Sequence, residues 1–140
     1  MEVNLPASSI KVRLVITSAS LASECISNLI GVAATEVWLQ GQAVHPKATN
    51  VHKENGWVLS VDAESGELTT ERVVDRLLNS IPPGKLAALC KQYEGSIEAE
   101  LSVILHVSGS ESIPSISLTP SQVKFLADCS GSFDVDLYVR

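Results

Sequence analysis

Residues 119–140 constrain the fold of this chain more than any other stretch, because they spell a complete helix start followed by a regularly alternating strand. Thr119, Pro120 and Gln122 form a capping box: a hydroxyl for orphan amides, a proline where no amide is needed, and a side-chain amide that reciprocates toward the cap. Leu118 and Val123 are spaced for a hydrophobic staple across it. After Ser130 and Gly131, the residues Phe133, Val135, Leu137 and Val139 alternate with Asp134, Asp136, Tyr138 and Arg140, the period of a strand with one buried face. This is a folding signal and carries no catalytic chemistry.

The rest of the chain reads in the same terms. Residues 9–17 set Ile10, Val12, Leu14 and Ile16 against Lys11 and Arg13, a half-buried strand. Ser20 and Glu24 open a helical stretch that Gly31 ends. Residues 36–40 read as a short strand and residues 57–62 as a clearer one, with Trp57, Leu59 and Val61 on one face. Beyond Glu64-Ser65-Gly66, Thr69 caps a helix striped with Val73, Val74, Leu77, Leu78 and Ile81, which Pro82-Pro83-Gly84 stops before a second helix over 85–93. Residues 96–107 form the longest strand, residues 109–114 a loop, and residues 116–118 a short edge strand. The predicted order is β-α-β-β-α-α-β-β-α-β. Strands with one polar face beside amphipathic helices are satisfied by an α+β two-layer sandwich, a mainly antiparallel sheet with helices on one face, ferredoxin-like or a close variant. Residues 1–8 read as a flexible tail and residues 9–140 as a single domain.

Charge and cysteine usage narrow the function classes. The net charge is −6, and the residues from Glu94 onward contribute −5 of it, seven acids against Lys124 and Arg140. Such a surface disfavours nucleic acid and anionic membranes and accommodates a basic protein partner more readily. Cys25, Cys90 and Cys129 are far apart in sequence and sit in apolar helical stretches, as small core hydrophobes do, without disulfide or zinc spacing. With no basic leader and no apolar run of membrane length, the expected compartment is the cytoplasm.

Two constellations merit attention as sites. Residues 41–56 carry His45, His52, Lys47, Lys53 and Glu54 between Trp38 and Trp57, a long irregular segment of the kind that binds ligands. Trp38, His45, His52 and Trp57 are the candidate ligand-binding residues; two histidines seven apart match no metal spacing, so no metal and no cofactor is expected. The second constellation is the polar sheet face. Glu98, Glu100, Asp134 and Asp136 are candidate partner-docking residues, set against the simpler expectation that they pair across strands with Lys11 and Arg13. Nucleophile elbows, phosphate-binding glycine loops, H-E-x-x-H and C-x-x-C motifs are all missing, and His106 beside the serine-rich stretch is the single hint of a triad. The chain is not expected to be an enzyme.

The run Ile26-Ser27-Asn28-Leu29-Ile30-Gly31, then residues 35–41 around Trp38, then Gly56-Trp57-Val58-Leu59, resembles the bacterial family catalogued as domain of unknown function 4279. Leu118-Thr119-Pro120 and Phe133-Asp134-Val135-Asp136-Leu137-Tyr138 are similar to its closing strand-helix-strand cassette, so the likeness runs from Ser9 through most of the chain. Ala33-Ala34 stands where a proline is common, and Gln40 where a basic residue is usual, which weakens an anion-binding role at that turn. The resemblance implies a stand-alone α+β domain and no particular reaction. The expected function is a non-catalytic protein-interaction domain of the neutralising or immunity type, with self-association through a strand edge as a milder form. The alternative is a small-ligand domain built on residues 38–57.

Overall fold

Apolar residues at every second position in the strands, and at three- and four-residue spacing in the helices, converge on one shared core. The computed structural model describes residues 8–64, 67, 69–109 and 114–139. Along these run β1 (Ser9–Ser18), α1 (Ser23–Ile30), β2 (Glu36–Trp38), β3 (Asn55–Asp62), α2 (Thr70–Asn79), α3 (Lys85–Gln92), β4 (Ile97–Val107), α4 (Pro120–Asp128) and β5 (Ser132–Val139).

The sheet order is β2-β3-β1-β4-β5. Every neighbouring pair is antiparallel except β4 with β5. The first four strands, read from β4 to β2, have the split βαβ order of a ferredoxin-like sandwich: β3 lies between the parallel β1 and β2, and β1 between the parallel β3 and β4. The α4–β5 unit extends this sheet by one strand. The expected architecture, a mainly antiparallel α+β sandwich close to the ferredoxin-like type, is therefore the one found.

Ile10, Val12, Leu14 and Ile16 of β1 and Leu101, Val103 and Leu105 of β4 are buried against Ile26 and Ile30 of α1, Val73, Val74 and Leu77 of α2 and Leu86 and Leu89 of α3. Each such side chain contributes about 1.5–3 kcal/mol on burial, which makes this face the dominant source of stability. Local signals fix the helix ends. Gly31 takes a left-handed φ of 83° and its N–H donates to the Ser27 carbonyl, closing α1. Pro82-Pro83 ends α2, and Gly84 starts α3 from a left-handed φ of 77°. The capping box forms as read: the Gln122 N–H donates to Thr119 Oγ1 at 3.2 Å and the Thr119 N–H to Gln122 Oε1 at 3.0 Å.

Four expectations are corrected. Residues 116–118 form no strand; Ser115 makes an isolated bridge to Thr69, and the Thr70 hydroxyl donates to the Ser115 and Ser117 carbonyls, so this stretch is used to tie down the start of α2. Thr69 occupies the N-cap of α2 without a side-chain capping bond. Helix α1 starts at Ser23, because the Ser18 hydroxyl captures the Ser20 and Leu21 amides and delays the helix. Finally, the apolar face of β5 is largely uncovered: Phe133, Leu137 and Val139 are 39%, 47% and 62% exposed. The physical reason is that α4 is drawn toward α2 by Gln122, whose Nε2 donates to the Glu71 carbonyl and to Asp75. Residues 1–7, 65, 66, 68, 110–113 and 140 lie outside the described residues, and with them most of the stretches expected to be a tail (1–8) and a loop (109–114).

Candidate functional site: the acidic half of the open sheet face

The register decides which polar side chains share the face away from the helices. Alternation places Lys11, Arg13, Val15 and Thr17 of β1 there, with Glu98, Glu100, Ser102, Ile104 and His106 beside them on β4. The parallel pairing then sets Ser102 beside Asp134, Ile104 beside Asp136 and His106 beside Tyr138. On the other flank lie Asp62, Ser60, Val58 and Gly56 of β3 and Glu36 and Trp38 of β2.

Six carboxylates and two cations thus share one surface, and geometry divides them unevenly. Lys11 reaches Asp62 at 3.8 Å and Arg13 reaches Glu36 at 3.6 Å, both toward the β3–β2 side. The expected pairing of these bases with the β4 and β5 acids is not what forms. Glu98, Glu100, Asp134 and Asp136 make no ion pair among the described residues. Successive carboxylates on one strand face are about 7 Å apart and adjacent strands about 4.8 Å, inside the screening length of about 8 Å at physiological salt, so their fields add. The result is a sheet face with a neutralised half and a negative half.

Two aromatic stacks bound this face at opposite ends. The Trp38 ring stacks on His52 at 4.7 Å with an interplanar angle of 16°, and it lies so close over Gly56 that an added Cβ would stand 1.9 Å from Trp38 Cε2. A glycine is required there by that approach. At the far end His106 stacks on Tyr138 at 4.9 Å and 15°. The His106 Nδ1 is buried without a hydrogen-bond partner among the described residues, so a triad built on that nitrogen has no serine or carboxylate bonded to it.

The four ligand candidates do not come together. Trp57 points to the opposite face, fully buried, and its Nε1 donates to Ser27 Oγ of α1 at 2.8 Å. Trp38 and His52 do meet, in the stack described above. His45 is exposed at the turn of residues 45–48, its Nδ1 accepting from the Lys47 N–H. The segment between is less irregular than its sequence suggests. Gly41 N–H donates to the His52 carbonyl, His52 N–H to the Gln42 carbonyl and Val44 N–H to the Asn50 carbonyl, around an antiparallel bridge between Ala43 and Val51. Asn55 secures its base, accepting from the Gln40 N–H and donating to the Leu21 carbonyl. Among the described residues, no group of three or more His, Cys, Asp or Glu is placed to hold a metal ion.

Fold and face together define the class: an α+β sandwich of ferredoxin-like strand order, extended by a βαβ unit whose last strand lies at the sheet's edge among the described residues. Within that class, the chain belongs to the family described as Domain of unknown function (DUF4279), which matches residues 8–140. No curated protein and no solved structure matches it.

Proposed function

We propose that this protein is a non-catalytic cytoplasmic interaction domain that docks a basic protein partner on the acidic half of its open sheet face, through Glu98, Glu100, Asp134 and Asp136. The observation that carries the reading is the division of charge: both cations of the face are engaged by Asp62 and Glu36, leaving the four acids of β4 and β5 for an external cation. Strand β5 adds a backbone edge of eight residues, bonded on one side to β4. Beyond that edge an extended partner segment could add to the sheet. Its two faces also specify such a segment. Asp134 and Asp136 favour basic residues on one side, while the exposed Phe133, Leu137 and Val139 favour apolar residues on the other. Covering a basic surface in this way is how a neutralising or immunity-type protein would act.

The small-ligand alternative has less support. Trp57 contributes to the core and His45 to a separate turn, so only Trp38 and His52 remain as a shared surface. No helix among the described residues is long and apolar enough to cross a membrane.

The test is amide chemical-shift mapping with a synthetic peptide alternating lysine and valine, with a glutamate–valine peptide as control. Shifts concentrated on β4 and β5, lost in Asp134→Asn/Asp136→Asn and weakened by salt, are the expected result. Equal shifts around Glu64 and Glu67, or none, would refute the docking face. Salt-sensitive capture from native lysate by the wild type but not by the double variant then identifies the physiological partner.

A further inference from the structure

On the open face, the strand pairing lines up rows of side chains that run across β1, β4 and β5. One row is Arg13, Ser102 and Asp134, and the next is Lys11, Ile104 and Asp136, so an uncharged residue separates each β1 cation from the β5 acid of its row. Two strand spacings, about 10 Å, lie between them. Both cations turn to the β3–β2 side instead. The third row is Ser9, His106 and Tyr138, and it holds no carboxylate, lysine or arginine.

In this third row the His106 and Tyr138 rings are stacked, with centroids 4.9 Å apart and planes 15° from parallel. That separation matches the spacing of neighbouring strands, about 4.8 Å, so the stack runs in step with the ladder. His106 covers one face of Tyr138, yet Tyr138 is 52% exposed, because β5 is the edge strand of the described sheet and the other ring face has no strand beside it. The next rung of the stack is where a segment added along β5 places the side chain opposite Tyr138. Resting on the docking face described above, we propose that the partner segment carries an arginine at this rung, its guanidinium stacked on the outer face of Tyr138 and bonded to Asp136, so that the site selects arginine over lysine.

Three properties of the place favour a guanidinium. A cation one rung out lies within the roughly 6 Å of a ring centroid at which an aromatic face attracts it. A guanidinium is planar, so it lies flat on the tyrosine while its N–H donors point outward in its own plane; an ammonium that faces the ring turns donors away from a neighbouring carboxylate. Asp136 is placed to accept those donors. It lies two residues from Tyr138 on the same strand face, and is thus diagonal to the opposing residue at about 7–8 Å, a span that long side chains bridge. Asp134 and Asp136 supply the attraction for any cation, and Tyr138 supplies the discrimination between two cations of equal charge.

The experiment is a chemical-shift titration of the full-length protein, at one salt concentration, with a lysine–valine peptide and with an arginine–valine peptide of the same length. Wild type should bind the arginine peptide about three- to fivefold more tightly. Tyr138→Leu should bring that preference below about twofold, and Tyr138→Phe, which keeps the ring, should retain it. Tyr138 is an exposed position, so both variants keep the fold. Any general advantage of arginine is present in all three proteins, and the change in the ratio therefore belongs to the ring. Equal affinities for the two peptides in wild type, or a preference that Tyr138→Leu leaves intact, would overturn the arginine assignment while the acidic docking face stands. Failure of both peptides to bind would overturn the docking face and the assignment with it.

Discussion

Replacing Gln122 by Met keeps the length of a side chain that is 2% exposed while removing every polar bond it makes. Three interactions are lost: Oε1 accepting from the Thr119 N–H at 3.0 Å, and Nε2 donating to the Glu71 carbonyl at 2.9 Å and to Asp75 Oδ1 at 2.7 Å. A neutral hydrogen bond is worth about 1 kcal/mol net and one to a carboxylate about 1.5–3 kcal/mol. The Asp75 share is discounted because that carboxylate is exposed and rehydrates. The apolar Met offsets one methylene's worth of transfer energy, about 0.8 kcal/mol. The expected net loss is therefore about 2 kcal/mol, against about 1 kcal/mol for Thr119→Ala, which removes only the other half of the box. Urea unfolding followed by emission of the buried Trp57 reads this as a midpoint shift of about 1 M with an unchanged slope. Because the two residues share one cap, the double variant should lose less than the sum of the singles. A Gln122→Met midpoint within about 0.3 M of wild type would refute the claim that this residue holds α4 against α2. The Gln122→Glu variant adds a sign. Its carboxyl beside Asp75 and the Glu71 carbonyl is driven toward the protonated form, so the deficit is small below about pH 4 and grows as pH rises through the carboxylate range.

Further variants probe the face and the two tryptophans. Gly56→Ala forces a Cβ into the Trp38 ring and should cost about 1–3 kcal/mol in a thermal or urea melt, a loss that Trp38→Ala relieves in the double variant. Trp57→Phe leaves Ser27 Oγ unbonded and a void in the core, costing about 2–4 kcal/mol, whereas Trp38→Phe should cost under about 1 kcal/mol; equal losses would contradict their placement on opposite faces. Acrylamide should quench Trp38 and leave Trp57 largely protected, checked in the two single-tryptophan variants. Asp134→Asn/Asp136→Asn should keep stability within about 0.5 kcal/mol while abolishing binding of the lysine–valine peptide.

What the sequence made legible was local or periodic. The capping box, the Gly31 stop and the Pro82-Pro83-Gly84 break each involve residues within a few positions, and all three act where they were read. Alternation identified which face of each strand is apolar but not whether anything covers it. In β5 it could not, because covering depends on where Gln122 draws α4. The arm over 41–56 was hidden because its cross-strand bonds join backbone groups of exposed, mixed residues that carry no apolar period. Residues 116–118 read as a short edge strand, yet the Thr70 hydroxyl and not a neighbouring strand takes up the Ser117 carbonyl. Which acids stay unpaired was equally beyond a linear reading: Arg13 passes over Ser60, its direct neighbour, to reach Glu36 one strand further on. Cys90 and Cys129 come to line one cavity only when α3 and α4 are packed.

The charges on β5 also bear on whether its free edge serves self-association or a different partner. Two copies joined edge to edge through β5 would continue one sheet, bringing Asp134 and Asp136 of one copy about a strand spacing, roughly 5 Å, from those of the other. Each like pair then costs up to about 1 kcal/mol in water and more where the interface excludes it. Lysine or arginine on a pairing segment reverses the sign of the same terms, without changing the backbone bonds or the apolar contacts to Phe133, Leu137 and Val139. Salt therefore separates the two assemblies. Self-association through β5 must strengthen as salt screens the aspartates, whereas the proposed basic complex must weaken. Sedimentation velocity from low to high salt on the protein alone, and with the lysine–valine peptide, measures both signs. A dimer that tightens with salt while peptide binding is indifferent to it would transfer the edge to self-association and leave the four acids with the ordinary role of protecting a strand edge.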